Sequence, residues 1–163
     1  MASEVGASPH APLLVRTTAP LQCLFAFALA AGLQPLLGLP LPPDAMRPAL
    51  HAAGTVLANA GLALSLWCFI LFATRRTTLM PAHRPARLVR RGPYRLSRNP
   101  IYVGLLSSYV GLALMLDVPW ALALLPLPML ALQRVIIPFE EARLQTSFGA
   151  AYTDYRREVR RWL

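Results

Sequence analysis

A chain of 163 residues accommodates one well-packed domain and not two. Apolar residues make up 56% of it and charged residues only 14%, against about 25% charged in an ordinary soluble domain, so the chain reads as a membrane protein. Its net charge of +9 comes from 16 arginines, with no lysine, set against 7 acids. The arginines flank long apolar runs, which fits an anionic membrane face and argues against nucleic acid as a partner.

Cys23 and Cys68 both lie within apolar runs, unlike the cysteines of a secreted disulfide framework. His10, His51 and His83 are scattered without ligand spacing, so no metal site is expected. The all-arginine, alanine- and leucine-rich composition suggests a bacterial source, and hence the inner membrane.

In chain order, residues 1–18 form a short leading segment, and the remainder, 19–163, is expected to be one membrane domain. No charge interrupts the chain between Arg16 and Asp44, and Pro20 to Leu41 reads as a first span. Its apolar run continues past Ala28-Leu29-Ala30, so it is expected to stay as a span and not to be cleaved as a signal peptide. Leu50 to Ala73 gives a second span, Asn99 to Leu116 a third and Val118 to Phe139 a fourth, the last two divided by a tight turn at Asp117 and Pro119. The expected fold is therefore all-α: a bundle of four transmembrane helices with an amphipathic helix at the C-terminus.

Orientation follows from the arginines. Eight of them fall between Arg75 and Arg98, and five more follow Glu140, whereas the other connections carry only Asp44 with Arg47, and Asp117. This pattern places both termini and the connection 74–98 in the cytoplasm, and any chemistry with them.

That connection ends in Gly92-Pro93, a turn signal, and in Asn99-Pro100, a helix start with asparagine as N-cap and proline in the first helical position. Tyr94 and Tyr102 flank this start, where free N–H groups favour a carboxylate. Gly104, Ser108 and Gly111 form a small-residue stripe on the third helix, suited either to close helix packing or to the approach of a cofactor.

Arg134 is a charge inside an apolar run and therefore a candidate functional residue. Glu141 lies seven residues on, two turns away on the same face of a continuous helix. Pro138 would leave the Arg134 carbonyl unbonded. Of the adjacent Glu140 and Glu141, one is expected to pair with arginine and the other to hold the hydroxyls or ammonium of a cofactor. Beyond them Leu144, Phe148, Tyr152, Tyr155, Val159 and Trp162 recur at helical steps. They predict an interfacial helix over 142–163 with Arg156, Arg157, Arg160 and Arg161 turned toward headgroups.

Taken together, Leu88-Val89, Gly92-Pro93-Tyr94, the run Arg98-Asn99-Pro100-Ile101-Tyr102-Val103-Gly104, Glu140-Glu141, Phe148-Gly149, Tyr152, Tyr155 and Val159-Arg160-Arg161-Trp162 resemble the isoprenylcysteine carboxyl methyltransferase family and the related phospholipid methyltransferases. The resemblance runs from about Thr77 to the C-terminus. It implies a helical membrane enzyme that uses S-adenosylmethionine and lacks a Rossmann sheet. By resemblance, Leu88, Val89, Tyr94, Asn99, Pro100, Tyr102 and Gly104 would line the cofactor site, Glu140 and Glu141 would hold its polar groups, and Arg134 would place the substrate. Position 99 is asparagine where the prenylcysteine enzymes have histidine, which removes any titrating group there.

The implied reaction is methyl transfer to an apolar, membrane-partitioned carboxylate or amine, a lipid-like or prenylated acceptor. Two other readings remain at this point: a membrane reductase of sterol-like or quinone-like lipids using NADPH, and a non-enzymatic membrane subunit that binds a partner or anionic lipid.

Overall fold

A computed structural model describes residues 19–74 and 88–163. The leading segment 1–18, with His10, and residues 75–87, with His83 and four of the arginines that set the expected orientation, lie outside the described residues. Among those described, all regular structure is helical. Three stretches are long and apolar enough to cross a membrane: Ala19–Leu37 (α1), Arg47–Thr74 (α2) and the segmented run Pro119–Phe148. The remaining expected span is α3, Pro100–Met115, which is apolar but has 16 residues. At 1.5 Å per residue it is about 24 Å long, somewhat less than a hydrocarbon core of about 30 Å.

The closest packing is between α2 and α3, and glycine makes it possible. Gly54, Gly61 and Cys68 fall seven residues apart on α2 and are all buried. On α3, Gly104 and Gly111 repeat that interval. The helices run antiparallel, so that a methyl group added at Gly54 would lie 2.7 Å from the Gly111 carbonyl oxygen, and one at Gly104 would lie 2.6 Å from that of Gly61. Ser108 Oγ, on the same stripe, donates to the Ala58 carbonyl at 3.1 Å. Lipid is as apolar as leucine, so helices in a bilayer gain little from apolar burial and associate through such close backbone approach. Packing is thus what the stripe of Gly104, Ser108 and Gly111 does.

On its other side α3 meets α1. Cys23, Ala26 and Ala30 of α1 pack with Tyr109 and Ala113 of α3, and with Val118 and Ala121 at the next turn. Phe27 meets Tyr109 edge-on, with ring centroids 5.4 Å apart. At the end of the bundle away from the Asn99-Pro100 motif, Asp117 adopts a positive φ of 52° in the turn after α3. Its Oδ2 accepts from Arg47 Nη2 at 2.5 Å, and His51 Nε2 lies 3.0 Å from the same oxygen. The turn is thereby tied to the start of α2.

The last span is built in pieces: α4 (Pro119–Leu124), α5 (Pro126–Ala131), a π-helical turn (Leu132–Ile136) and α6 (Ile137–Phe148). In the π turn the Ile137 N–H donates to the carbonyl of Leu132, five residues back. Pro138 has no N–H to continue the ordinary ladder, and the wider turn is the local answer. The expected C-terminal helix over 142–163 is not one helix. It breaks at Gly149, whose φ of 52° and ψ of −123° suit only glycine. It resumes as α7 (Ala150–Glu158) and then turns extended at Val159. Leu144 and Phe148 before the break are half-buried, whereas Tyr152 and Tyr155 after it are buried.

Two outcomes follow. Gly54→Ala or Gly111→Ala should lower the melting temperature of the detergent-solubilised protein, at the about 1–3 kcal/mol typical of overpacking, whereas Gly32→Ala, with nothing within 4 Å of the added methyl, should not. The hydrogen bond from Arg47, and then His51, hold the Asp117 carboxyl below its ordinary range. The pairing therefore contributes above the ordinary carboxylate pKa and is lost as pH falls through the lowered one. In pH-dependent thermal melts, the advantage of wild type over Asp117→Asn should close only below about pH 4.

Candidate functional site

The polar groups gather at the end of the bundle where α3 begins. After Leu88 and Val89, both half-buried in an extended stretch, Gly92–Arg95 forms a single 3₁₀ turn with Pro93 in its first positions. Gly92 has a φ of 60°, which lets the chain double back beside Trp67 and Leu71 of α2. The turn drives Tyr94 inward, where its ring meets Phe72 edge-on at 5.4 Å. Burial first, then the neighbouring Cys68, Tyr155 and Glu140, push its phenol well above the usual range, so that it stays protonated. The Tyr155 hydroxyl donates to the Tyr94 backbone carbonyl at 2.7 Å, and Arg90 donates to the Ala151 carbonyl. These two bonds attach α7 to the turn.

Asn99 is the N-cap residue of α3 and Pro100 the first helical residue, as expected, but the asparagine side chain does not cap. Its Nδ2 donates instead to the Arg161 carbonyl at 3.0 Å, while its backbone N–H donates to Ser97 Oγ at 3.1 Å. The chain end lies alongside: the Arg98 N–H donates to the Arg160 carbonyl at 2.9 Å, and Ser97 Oγ donates to that of Arg161 at 3.2 Å.

One of the two glutamates pairs with arginine, as expected for one of them. Glu141 is buried and ion-paired: its Oε2 lies 2.6 Å from Arg161 Nη2, and its Oε1 lies 3.1 Å from Arg98 Nη2. Glu140 is half-buried and accepts a hydrogen bond from the Tyr102 hydroxyl at 2.7 Å. Tyr102, Asn99, Pro100, Tyr94, Glu140 and Glu141 thus converge on one polar crown.

Gly104 and Arg134 stand apart from it. Gly104 is spent on the contact with Gly61 and Ser65 of α2. Arg134, in the π turn, is exposed and forms no hydrogen bond or ion pair among the described residues. The expected alignment of Arg134 with Glu141 assumed a continuous α-helix. The π turn is wider than an α turn and so shifts the faces, and Glu141 turns inward to other arginines.

Three contributors were missed. Arg98 was counted among the arginines that set topology, and Arg161 among those facing headgroups, yet both guanidiniums reach Glu141. Ser97, only 1% exposed, was not singled out. The signal for the arginines was available: two acids at a membrane boundary, in a chain with so few, need cationic partners.

An all-helical membrane bundle with a crown of tyrosine, asparagine and paired glutamates at one end defines a class of helical membrane enzyme. The phospholipid methyltransferase family model matches residues 49–151, well over half the chain and from α2 through the start of α7. The chain belongs to that family of membrane methyltransferases. Neither the curated proteins nor the solved structures contain a match.

The bond from Tyr155 to the Tyr94 carbonyl can be isolated. Tyr155→Phe should destabilise the protein by about 1–2 kcal/mol, the cost of leaving a buried acceptor unpaired, read as a lowered melting temperature in detergent.

Proposed function

We propose that the crown binds S-adenosylmethionine from the cytoplasm and that the protein methylates an apolar acceptor that reaches the same place from the bilayer. The observation that carries this reading is Glu140, an acid held at 2.7 Å by Tyr102 at the start of α3, within the segment matched by the family model.

The residues present suit the cofactor. Its methionyl end carries an ammonium and a carboxylate, which need an acid and a donor. Glu140 is the acid, and the Arg98 Nε–H is a buried donor with no partner. In this reading Tyr102, with the half-buried Leu88 and Val89, receives the remainder of the cofactor. Bound there, S-adenosylmethionine supplies a methyl carbon on a sulfonium, whose displacement leaves a neutral thioether. The protein's part is proximity and orientation. The Tyr102 hydroxyl fixes the Glu140 carboxylate, and the buried crown keeps water from the reacting atoms.

Arg134 faces outward from the π turn, where the acceptor would arrive. We assign it to the anionic group of that acceptor, a lipid-like or prenylated carboxylate or a phospholipid headgroup. In this reading the chain crosses the inner membrane four times, with α3 as the third span and both termini in the cytoplasm.

Calorimetric titration of the detergent-purified protein with S-adenosylhomocysteine, beside NADPH, tests the proposal. Micromolar binding of the former alone, weakened in Glu140→Gln, is the expected result. Binding of NADPH alone would replace the methyltransferase by the reductase, and binding of neither would point to a subunit role.

A further inference from the structure

Residues 159–163 lie beyond the segment matched by the family model, yet they contact the crown at several points. The carbonyls of Arg160 and Arg161 receive the Arg98 N–H, Asn99 Nδ2 and Ser97 Oγ. The Arg161 guanidinium grips Glu141 with both Nε, at 3.3 Å, and Nη2, at 2.6 Å. Trp162 packs with Leu132, Ile136 and Ile137 below it. One short non-helical segment is therefore fastened on three sides: to the entry of α3, to α6 and to the π turn.

What this fastening spans is the gap across which Tyr102 and Glu140 meet. Among the described residues, the closest backbone packing of α6 is with its own chain neighbours, the π turn and α7. Its link to α3 runs through side chains: the Tyr102–Glu140 hydrogen bond, apolar packing around Phe139 and Leu106, and the Arg98–Glu141 pair. Glu141 is adjacent to Glu140 in sequence, so whatever sets the height and rotation of Glu141 sets those of Glu140 as well. With its side chain only 8% exposed, Glu141 cannot fall back on water if a guanidinium is withdrawn. It would move, and Glu140 would move with it.

We infer that the segment 159–163 is a strap that sets the cofactor site, with Arg161 as a positioning residue acting through Glu141 on Glu140 and Tyr102. The inference rests on the proposed binding of S-adenosylmethionine in the crown. Arg161 touches no reacting atom. Its role is to hold one wall of the site against the other, in the way that residues behind a binding group fix its geometry.

The test is a double-mutant cycle on S-adenosylhomocysteine affinity in the full-length protein. It compares wild type, Arg161→Ala, Glu141→Gln and the double variant, with the melting temperature of each recorded without ligand. The strap predicts that Arg161→Ala weakens binding by about tenfold, within the range for contacting residues. Glu141→Gln should do the same, and the double variant should be no weaker than the poorer single one. Arg161→Lys, which keeps the charge without the two-pronged grip, should recover part of the loss. Should Arg161→Ala not be recovered folded, Arg161→Gln carries the same prediction.

Unchanged affinity in Arg161→Ala, beside normal binding by wild type, would overturn the strap alone. So would fully additive losses, since Arg161 would then act independently of Glu141. Failure of wild type to bind at all would overturn the cofactor reading, and this inference with it.

Discussion

A carboxylate buried between two guanidiniums joins three separate parts of the chain at one point. Glu141 comes from the end of the last span, Arg98 from just before the third helix and Arg161 from the chain end. Removing one member of such a group typically costs about 3–5 kcal/mol, because the charge left behind stays out of water. The arrangement is therefore all or nothing. With the three in place, the chain end aligns with Ser97–Asn99, Tyr102 meets Glu140, and α7 is carried against the 3₁₀ turn through Tyr155 and Tyr94. The acid that we assign to the cofactor is one residue away from the acid that builds the structure, and the two roles depend on each other.

Beneath the crown a different physics operates. Within a bilayer, apolar burial gives little preference for one helix neighbour over another. The helices α2 and α3 are fixed by backbone contact at Gly54, Gly61, Gly104 and Gly111, and are tied at the far end by Arg47 and Asp117. A rigid α2–α3 pair gives the polar end a stable base. The last span is the less regular partner. Its prolines cut it into short helices, and the π turn before Pro138 points Arg134 outward and Glu141 inward. That one turn therefore separates the exposed guanidinium of Arg134 from the buried carboxylate of Glu141.

Much of this was legible in the sequence. The helical class, the approximate positions of the apolar runs and the helix start at Asn99-Pro100 all follow from spacing, charge and turn chemistry, as does an arginine partner for one of the two glutamates. What was not legible turned on backbone conformation. The periodicity of Leu144 to Trp162 gave no hint that Gly149 would take a positive φ and cut the helix in two. The heptad from Arg134 to Glu141 seemed to align them because nothing in the residues themselves announces a wider turn. Asn99 has the chemistry of a cap, but a free carbonyl from Arg161 arrives within its reach, and a contact sixty residues away is invisible to local reasoning. The arginines of the tail show the same limit: composition assigns them to headgroups, and only the fold shows that Arg161 turns inward.

The central claim is that one end of this bundle, built from three separate parts of the chain, is a single cofactor site. Hydrogen exchange, followed by mass spectrometry on the detergent-solubilised protein with and without S-adenosylhomocysteine, tests it most directly. The account predicts slowed exchange in peptides covering 94–104, 139–142 and 159–162 together, with no change around Arg47, His51 and Asp117. Protection confined to that opposite end, or none at saturating ligand, would contradict it.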